Sequence, residues 1–397
     1  MENISDRVNR LSESATIAMA RKARELKSQG IDIISLSLGE PDFNTPDFIK
    51  EAAKDGIDQN YSKYMPVNGY QDLREAISNK FKRDNNIDYT TDQIVVSTGA
   101  KQSIANVVLS LINPGDEVIV PAPYWVSYEE IIKMAEGIPV FIETSIENDF
   151  KISPQQLENA ISSKTKMMIY SSPCNPSGSV YSKEELRSLA DVLVNHSEII
   201  VLSDEIYEHI NFTRSYFSMA AFPDMYNQVV TVNGVSKSFA MTGWRLGYIG
   251  APIWIAKACT KIQGQFTSGT SGISQRASLA AIAADPVVVH TMRDAFLKRR
   301  DFVIGELKKI NGIKINQPQG AFYVFPDVSF FFNKSYNNYS INNANDLSLY
   351  LLETAKVALV TGNAFGSPNC MRISYAASIE NLKEAMSRIT ISLNKLN

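Results

Sequence analysis

Lys237 lies within Asn233-Gly-Val-Ser-Lys-Ser-Phe-Ala-Met-Thr-Gly-Trp-Arg-Leu-Gly247, among small and apolar neighbours. Two strand-like runs, Gln228 to Val232 and Arg245 to Gly250, flank it. An ammonium so placed is partly desolvated, which disfavours its charge and frees the amine to act as a nucleophile for a Schiff base. Other residues with chemical potential also follow strand-like runs. Thr98-Gly99-Ala100-Lys101 comes after Gln93 to Ser97 and opens a helix. Glycine there lets the backbone approach a phosphate, and the first N–H groups of the helix point at it. Asn175, in Ser172-Pro-Cys-Asn-Pro-Ser-Gly178, follows Lys166 to Ser171, and Asp204 and Tyr207 follow Ile199 to Ser203. Arg372 opens Arg372-Ile-Ser-Tyr375, and its planar fork suits a carboxylate.

Taken singly, each has a plainer reading. Lysines are mostly exposed, Asn-Pro is an ordinary turn, Asp204 serves as a helix cap, and a tryptophan such as Trp125 is more often core. His196, His209 and His290 read as structural.

The elements that must position these residues alternate along the chain. Strands are expected at Gln93 to Ser97, Glu117 to Val120, Val140 to Glu143, Lys166 to Ser171, Ile199 to Ser203 and Val229 to Val232. Helices at Lys101 to Leu111, Val126 to Ala135, Pro154 to Ile161 and Lys183 to Val194 fall between them. Several strands are nearly continuous apolar runs, which argues an α/β protein whose mostly parallel sheet is covered on both faces. Upstream, a helix is expected at Ser14 to Ser28, a short strand at Ile33 to Leu38 and a loop at Tyr61 to Gly69. Downstream come a long helix at Val287 to Ile310, a strand at Gly320 to Phe325, a surface loop at Phe330 to Asn345 and a closing helix at Ile379 to Leu396. The charge run Lys298-Arg-Arg-Asp301 reads as a solvated helix face.

A chain of 397 residues exceeds the size at which one core keeps growing, so more than one domain is expected. A net charge of −3 gives no electrostatic case for nucleic acid or an anionic membrane. The three cysteines, Cys174, Cys259 and Cys370, match neither a disulfide framework nor a zinc site, and no metal is expected. With no signal-like or spanning segment, a cytoplasmic location is expected.

Gly234, Ser236-Lys237, Gly243, Arg245 and Gly247 together resemble the pyridoxal phosphate attachment signature of the class I aminotransferases, and the chain looks most like their bacterial aspartate subgroup. The resemblance runs from about Ser14 to the C-terminal helix. It implies fold type I: an N-terminal arm that joins the small domain (1–44), a large cofactor-binding domain (45–284) and an α+β small domain (285–397). It makes Lys237 the catalytic lysine and the amides of Gly99, Ala100 and Lys101 the phosphate cradle, with Ser236 and Arg245 beside it. It places Trp125 on the cofactor ring, Asp204 at the pyridine nitrogen, and Asn175 and Tyr207 at the phenolic oxygen. Tyr64 is expected to reach the site of a partner subunit in a homodimer.

Arg372 is then expected to grip the substrate α-carboxylate, with Gly39 approaching closely on the other side of the amino acid, Trp125 and Asn175 also touching the substrate, and Lys101, Ser14 and Thr16 at a side-chain carboxylate. The activity implied is ping-pong transamination between aspartate and 2-oxoglutarate. Alternatives of the same fold are a glutamate/aspartate-prephenate or aromatic aminotransferase and a carbon-sulfur lyase. A pyridoxal phosphate-binding regulator is the remote one, since the arm before Gly39 is too short for a helix-turn-helix domain. Two departures stand out: Cys174, where relatives carry other small or polar residues, predicts oxidant sensitivity, and Thr361-Gly362 replaces a Pro-Gly.

Overall fold

Aliphatic runs without polar alternation make strands buried on both faces, and such strands, with a partly exposed one at the edge, build the seven-stranded central sheet of the computed structural model, which describes residues 4–213 and 215–397. In chain order they are β1 (Ile94–Ser97), β2 (Glu117–Pro121), β3 (Ile138–Ile142), β4 (Thr165–Ser171), β5 (Ile200–Asp204), β6 (Val229–Gly234) and β7 (Gly247–Gly250). Their spatial order is β1-β7-β6-β5-β4-β2-β3. Only β7 runs against its neighbours. The carboxyl ends of the other strands and the start of β7 therefore share one edge.

Alternate residues of each strand enter different cores. Val95, Val118 and Ile169 pack with Ile104, Ile132 and Ile255 of helices Ala100–Leu111, Ser127–Met134 and Ile253–Phe266. Ile94, Val96 and Met168 pack on the other side with Ile49, Leu73, Leu186 and Ala277 of helices Asp47–Asp58, Gln71–Lys80, Lys183–Leu193 and Gly272–Ala283. A further core joins Phe296 and Ile304 of helix His290–Leu307 to Tyr323, Leu347, Ile373, Leu382 and Ile389, and it takes in Ile34 and Leu36 from the N-terminal stretch. A three-stranded sheet, Val360–Thr361, Met371–Ser374 and Tyr323–Val324, lies within this part of the chain.

Helices Asp47–Asp58, Ile253–Phe266 and Gly272–Ala283 have no counterpart in the sequence-based expectation. Glycine punctuates each of them, and glycine is a poor helix former. Here it serves close packing: a β-carbon on Gly56 would lie 3.1 Å from the Arg276 side chain of the neighbouring helix. The expected strand Ile33 to Leu38 shrinks to Ile34–Ser35, which pairs in parallel with Val357–Ala358. The expected loop Phe330 to Asn345 instead contains an antiparallel hairpin, Lys334–Tyr336 with Tyr339–Ile341, and enters helix Ala344–Thr354. Asn337 takes the left-handed backbone of its turn, at φ 52°, a conformation asparagine tolerates. Among the described residues, no helix is long and apolar enough to cross a membrane.

Candidate active site

The shared strand edge opens into a cavity of ≈ 480 Å³. Lys237 enters it just after β6, Asn175 after β4, Asp204 from the last residue of β5, Tyr207 shortly beyond, and Trp125 after β2. Thr16, Gly39, Ala100, Lys101, Ser236, Arg245 and Arg372 also line it. Ser14 and Gly99 do not form its wall but each lies against a residue that does. The Ser14 hydroxyl lies 2.8 Å from the Thr16 hydroxyl.

Gly99 precedes helix Ala100–Leu111 with φ 85° and ψ 156°, a conformation open essentially to glycine alone. No side chain caps this helix, so the first-turn amides of Ala100 and Lys101 have no intrahelical acceptor. Arg245 comes to the same spot: a β-carbon on Gly99 would lie 2.4 Å from its Nη2. The sequence-based strand from Arg245 to Gly250 needs correction. Arg245 has φ 54° and ends a tight turn, Thr242–Trp244, before β7 begins at Gly247. That left-handed residue turns the guanidinium away from the sheet ladder and towards the helix start, where positive charge and amide dipoles favour an anion.

Lys237 Nζ donates to the Gly39 carbonyl at 2.5 Å. Burial lowers its pKa to about 8, Arg372 and Arg245 push in the same direction, and Glu40 and Asp204 pull back. Asp204 is buried, and burial raises its pKa. Its carboxylate accepts from the Tyr128 hydroxyl at 2.7 Å and from the Ile206 amide at 3.3 Å, both of which favour the charged form.

Arg372 is 2% exposed. It donates through Nη1 to Asn175 Oδ1 at 2.9 Å and through Nη2 to the Ser37 carbonyl at 2.5 Å, while Nε has no partner. An unpartnered buried guanidinium nitrogen is costly, and the Arg372 side chain also lines the cavity. Lys101 has its ammonium 5.0 Å from the centroid of the Trp125 ring, and burial followed by Arg245 lowers its pKa. Among the described residues it makes no salt bridge.

Tyr64 is 98% exposed and stands apart from this cavity. Cys174 lies behind the wall with its thiol 3.7 Å from the Pro123 carbonyl, and burial raises its pKa, which makes its thiolate scarce. The structure thus gives no physical support to the expected oxidant sensitivity. His209 joins Asp84 and the buried Glu208 in a cluster whose ligand atoms lie within 4.8 Å of one another. The Lys80 ammonium already rests against Glu208 there, so the cluster holds its own cation.

Sequence reasoning missed Glu40, Tyr128, Thr242 and Tyr323, all on the cavity wall. Tyr128 sits one helical turn beyond Trp125, and their rings meet edge to face with centroids 5.4 Å apart. Nothing local distinguishes the other three.

The fold and the site define an enzyme that uses a lysine amine and a phosphate-anchored carbonyl cofactor on an amino acid. The family model described as aminotransferase class I and II matches residues 31–389, and the chain belongs to that family. It is 47% identical over 396 residues to a bifunctional aspartate aminotransferase and glutamate/aspartate-prephenate aminotransferase of Petunia hybrida, covering 98% of this chain and 83% of that protein. An aspartate/prephenate aminotransferase of Nitrosomonas europaea is 46% identical, covering 98% of this chain and all of that one. The crystal structure of an aspartate aminotransferase from Rhizobium meliloti superposes with a TM-score of 0.96 at 39% identity over the whole of both chains. One from Thermus thermophilus, solved with maleate, gives 0.93 at 39% identity, covering 99% of this chain and all of that one.

Members of this family work with pyridoxal phosphate, and the residues present fit it. The uncapped helix start beside Arg245 suits the phosphate, the lysine amine suits the aldehyde, and the buried Asp204 carboxylate suits a protonated ring nitrogen.

Proposed function

We propose that the protein transfers the amino group of L-aspartate to 2-oxoglutarate, giving oxaloacetate and L-glutamate, in two half-reactions of a ping-pong cycle. The observation that carries this reading is the pair of cations in one cavity. Arg372 and Lys101 both line it, and neither has a carboxylate partner among the described residues. Between them they provide for both carboxylates of a dicarboxylic amino acid. The names of the relatives support it, as does the Thermus thermophilus structure with the dicarboxylate maleate.

Pyridoxal phosphate, when bound, supplies an aldehyde for the amino group and a ring that takes up the electron pair left when the α-proton departs. The protein's residues do the rest. Ala100, Lys101 and Arg245 hold the phosphate, with Gly99 and Ser236 shaping its seat, and Trp125 packs on the ring. Asp204, whose charged form the Tyr128 hydroxyl and the Ile206 amide favour, would hold a proton on the ring nitrogen. Asn175 and Tyr207 serve the phenolic oxygen. Arg372 grips the α-carboxylate and Gly39 lies on the other side of the amino acid, while Lys101 and Thr16, steadied by Ser14, take the side-chain carboxylate. The Lys237 amine removes the α-proton; with a pKa of about 8 a useful fraction is neutral near neutral pH.

In this reading the molecule is a cytoplasmic homodimer in which Tyr64, 98% exposed on one subunit, reaches the phosphate of the other. The boundaries 1–44, 45–284 and 285–397 separate the arm, the cofactor domain and the small domain. Prephenate is a second amino acceptor to test, because two relatives carry it in their names.

Stopped-flow absorbance of the cofactor-loaded protein with aspartate, glutamate, phenylalanine or cysteine tests the reading. Aspartate and glutamate should bleach the visible band at low concentration, and 2-oxoglutarate should restore it. A much better response to phenylalanine or cysteine would rule out the dicarboxylate assignment. For the dimer, mixing a Lys237→Ala variant with a Tyr64→Ala variant should recover activity through hybrids that carry one intact site.

A further inference from the structure

Tyr323 is fully buried and lines the cavity. It opens the short strand Tyr323–Val324 and pairs in register with Ser374 on the strand that carries Arg372. Its hydroxyl lies 2.8 Å from that of Tyr207. Its ring lies under the Arg372 guanidinium, 4.6 Å from centroid to carbon, with Phe365 at 4.9 Å. A β-carbon on residue 39 would fall 2.2 Å from the Tyr323 hydroxyl, so only glycine lets the chain pass here and bring its carbonyl to Lys237.

We propose that Tyr323 is a positioning residue that couples the two halves of the site: its hydroxyl donates to Tyr207, and its ring fixes the plane of Arg372. This rests on the roles given above to Tyr207 and Arg372. The direction of the hydroxyl bond follows from charge. The guanidinium against the Tyr323 ring stabilises its phenolate more than that of Tyr207, so Tyr323 is the more acidic phenol and the better donor. Accepting from Tyr323 leaves the Tyr207 proton free to point into the cavity, and it polarises that O–H bond, so Tyr207 becomes a stronger donor to the phenolic oxygen of the cofactor. Stacking acts at the other end. A guanidinium held by Asn175, Ser37 and an aromatic face keeps one plane at the cavity wall.

The two actions separate in two variants of the cofactor-loaded protein. Tyr323→Phe keeps the ring and loses the hydroxyl. The pH midpoint of the visible band should rise by roughly half a unit, because a weaker donor at the phenolic oxygen leaves more electron density there to hold the neighbouring proton. Maleate affinity should stay within about twofold. Tyr323→Leu loses the ring as well, and maleate should bind roughly tenfold more weakly. In the double variant Tyr207→Phe/Tyr323→Phe the midpoint should match that of Tyr207→Phe alone, since one hydroxyl acts through the other.

An unchanged midpoint in Tyr323→Phe, or additive shifts in the double variant, would overturn the hydroxyl coupling. Undiminished maleate binding in Tyr323→Leu would overturn the stacking role. A wild-type protein with no visible band, or none that responds to maleate, would instead defeat the underlying site assignment before any variant is compared.

Discussion

The Tyr128 hydroxyl donates to Asp204 Oδ2 across 2.7 Å, joining the helix Ser127–Met134 to the last residue of β5. Both groups are buried. Burial alone would favour a neutral Asp204, and a neutral carboxyl could not hold a proton on a ring nitrogen. Tyr128 is thus a support on which the charge of Asp204 depends.

Replacing Tyr128 with phenylalanine removes that donor and leaves the ring in place. A hydrogen bond to a charged group contributes about 1.5–3 kcal/mol. Turnover with aspartate is expected to fall by about tenfold or more, and cofactor affinity to fall with it. Steady-state kinetics and equilibrium dialysis of the cofactor check this; wild-type values for both would show that Asp204 needs no such support.

At Gly99, alanine would meet two obstacles. The backbone is at φ 85° and ψ 156°, where a side chain costs about 1–3 kcal/mol, and the new methyl would lie against the Arg245 guanidinium. Gly99→Ala is expected to lower the melting temperature by a few degrees and to weaken cofactor binding by about tenfold or more, by displacing Arg245. Calorimetry and cofactor titration distinguish the two effects. A loss of stability with unchanged affinity would remove Arg245 from the phosphate site.

Lys101 is the residue on which dicarboxylate preference depends most. With glutamine in its place the charge is gone while much of the stem remains. The ratio of kcat/KM for aspartate over that for phenylalanine should drop by about tenfold to a hundredfold, in keeping with loss of a charged hydrogen bond. Equal losses for both substrates would mean that Lys101 serves the cofactor alone.

The buried Lys80–Glu208 pair carries a prediction about acid stability. Burial works to raise the Glu208 pKa, but the charges of Lys80 and His209 and the hydrogen bonds from Lys80 and Asn85 outweigh it, leaving a value of about 2. A carboxyl depressed in the fold stabilises it above the unfolded pKa, near 4.5, and that contribution disappears as pH falls from there towards 2. Lys80→Met strands the carboxylate, and breaking such a pair costs about 3–5 kcal/mol near neutral pH. Urea unfolding at pH 7 and at pH 3 should therefore show the variant's deficit shrinking in acid. A deficit independent of pH would assign the effect to packing.

Much of the site was legible because its residues sit in short local patterns. Gly99, Asn175, Asp204 and Lys237 each fall at or just after the end of a strand that the apolar runs reveal, and parallel strands deliver such ends to one edge. The helices 47–58, 253–266 and 272–283 were not legible, because each contains a glycine that argues against a helix, and only packed neighbours account for those at Gly56 and Gly272.

The sequence by itself determined which chemistry was available: an amine in an apolar setting, a glycine at a helix start, a carboxylate at a strand end and an arginine fork. Only the tertiary structure decided how those groups are tuned. Tyr128 lies 76 residues from Asp204, Tyr207 lies 116 from Tyr323, and Asn175 lies 197 from Arg372. No local pattern encodes such partners. The pairs arise when strand order and the packed cores bring distant segments within a hydrogen bond of each other, and the low dielectric of that shared interior gives each contact its effect on charge.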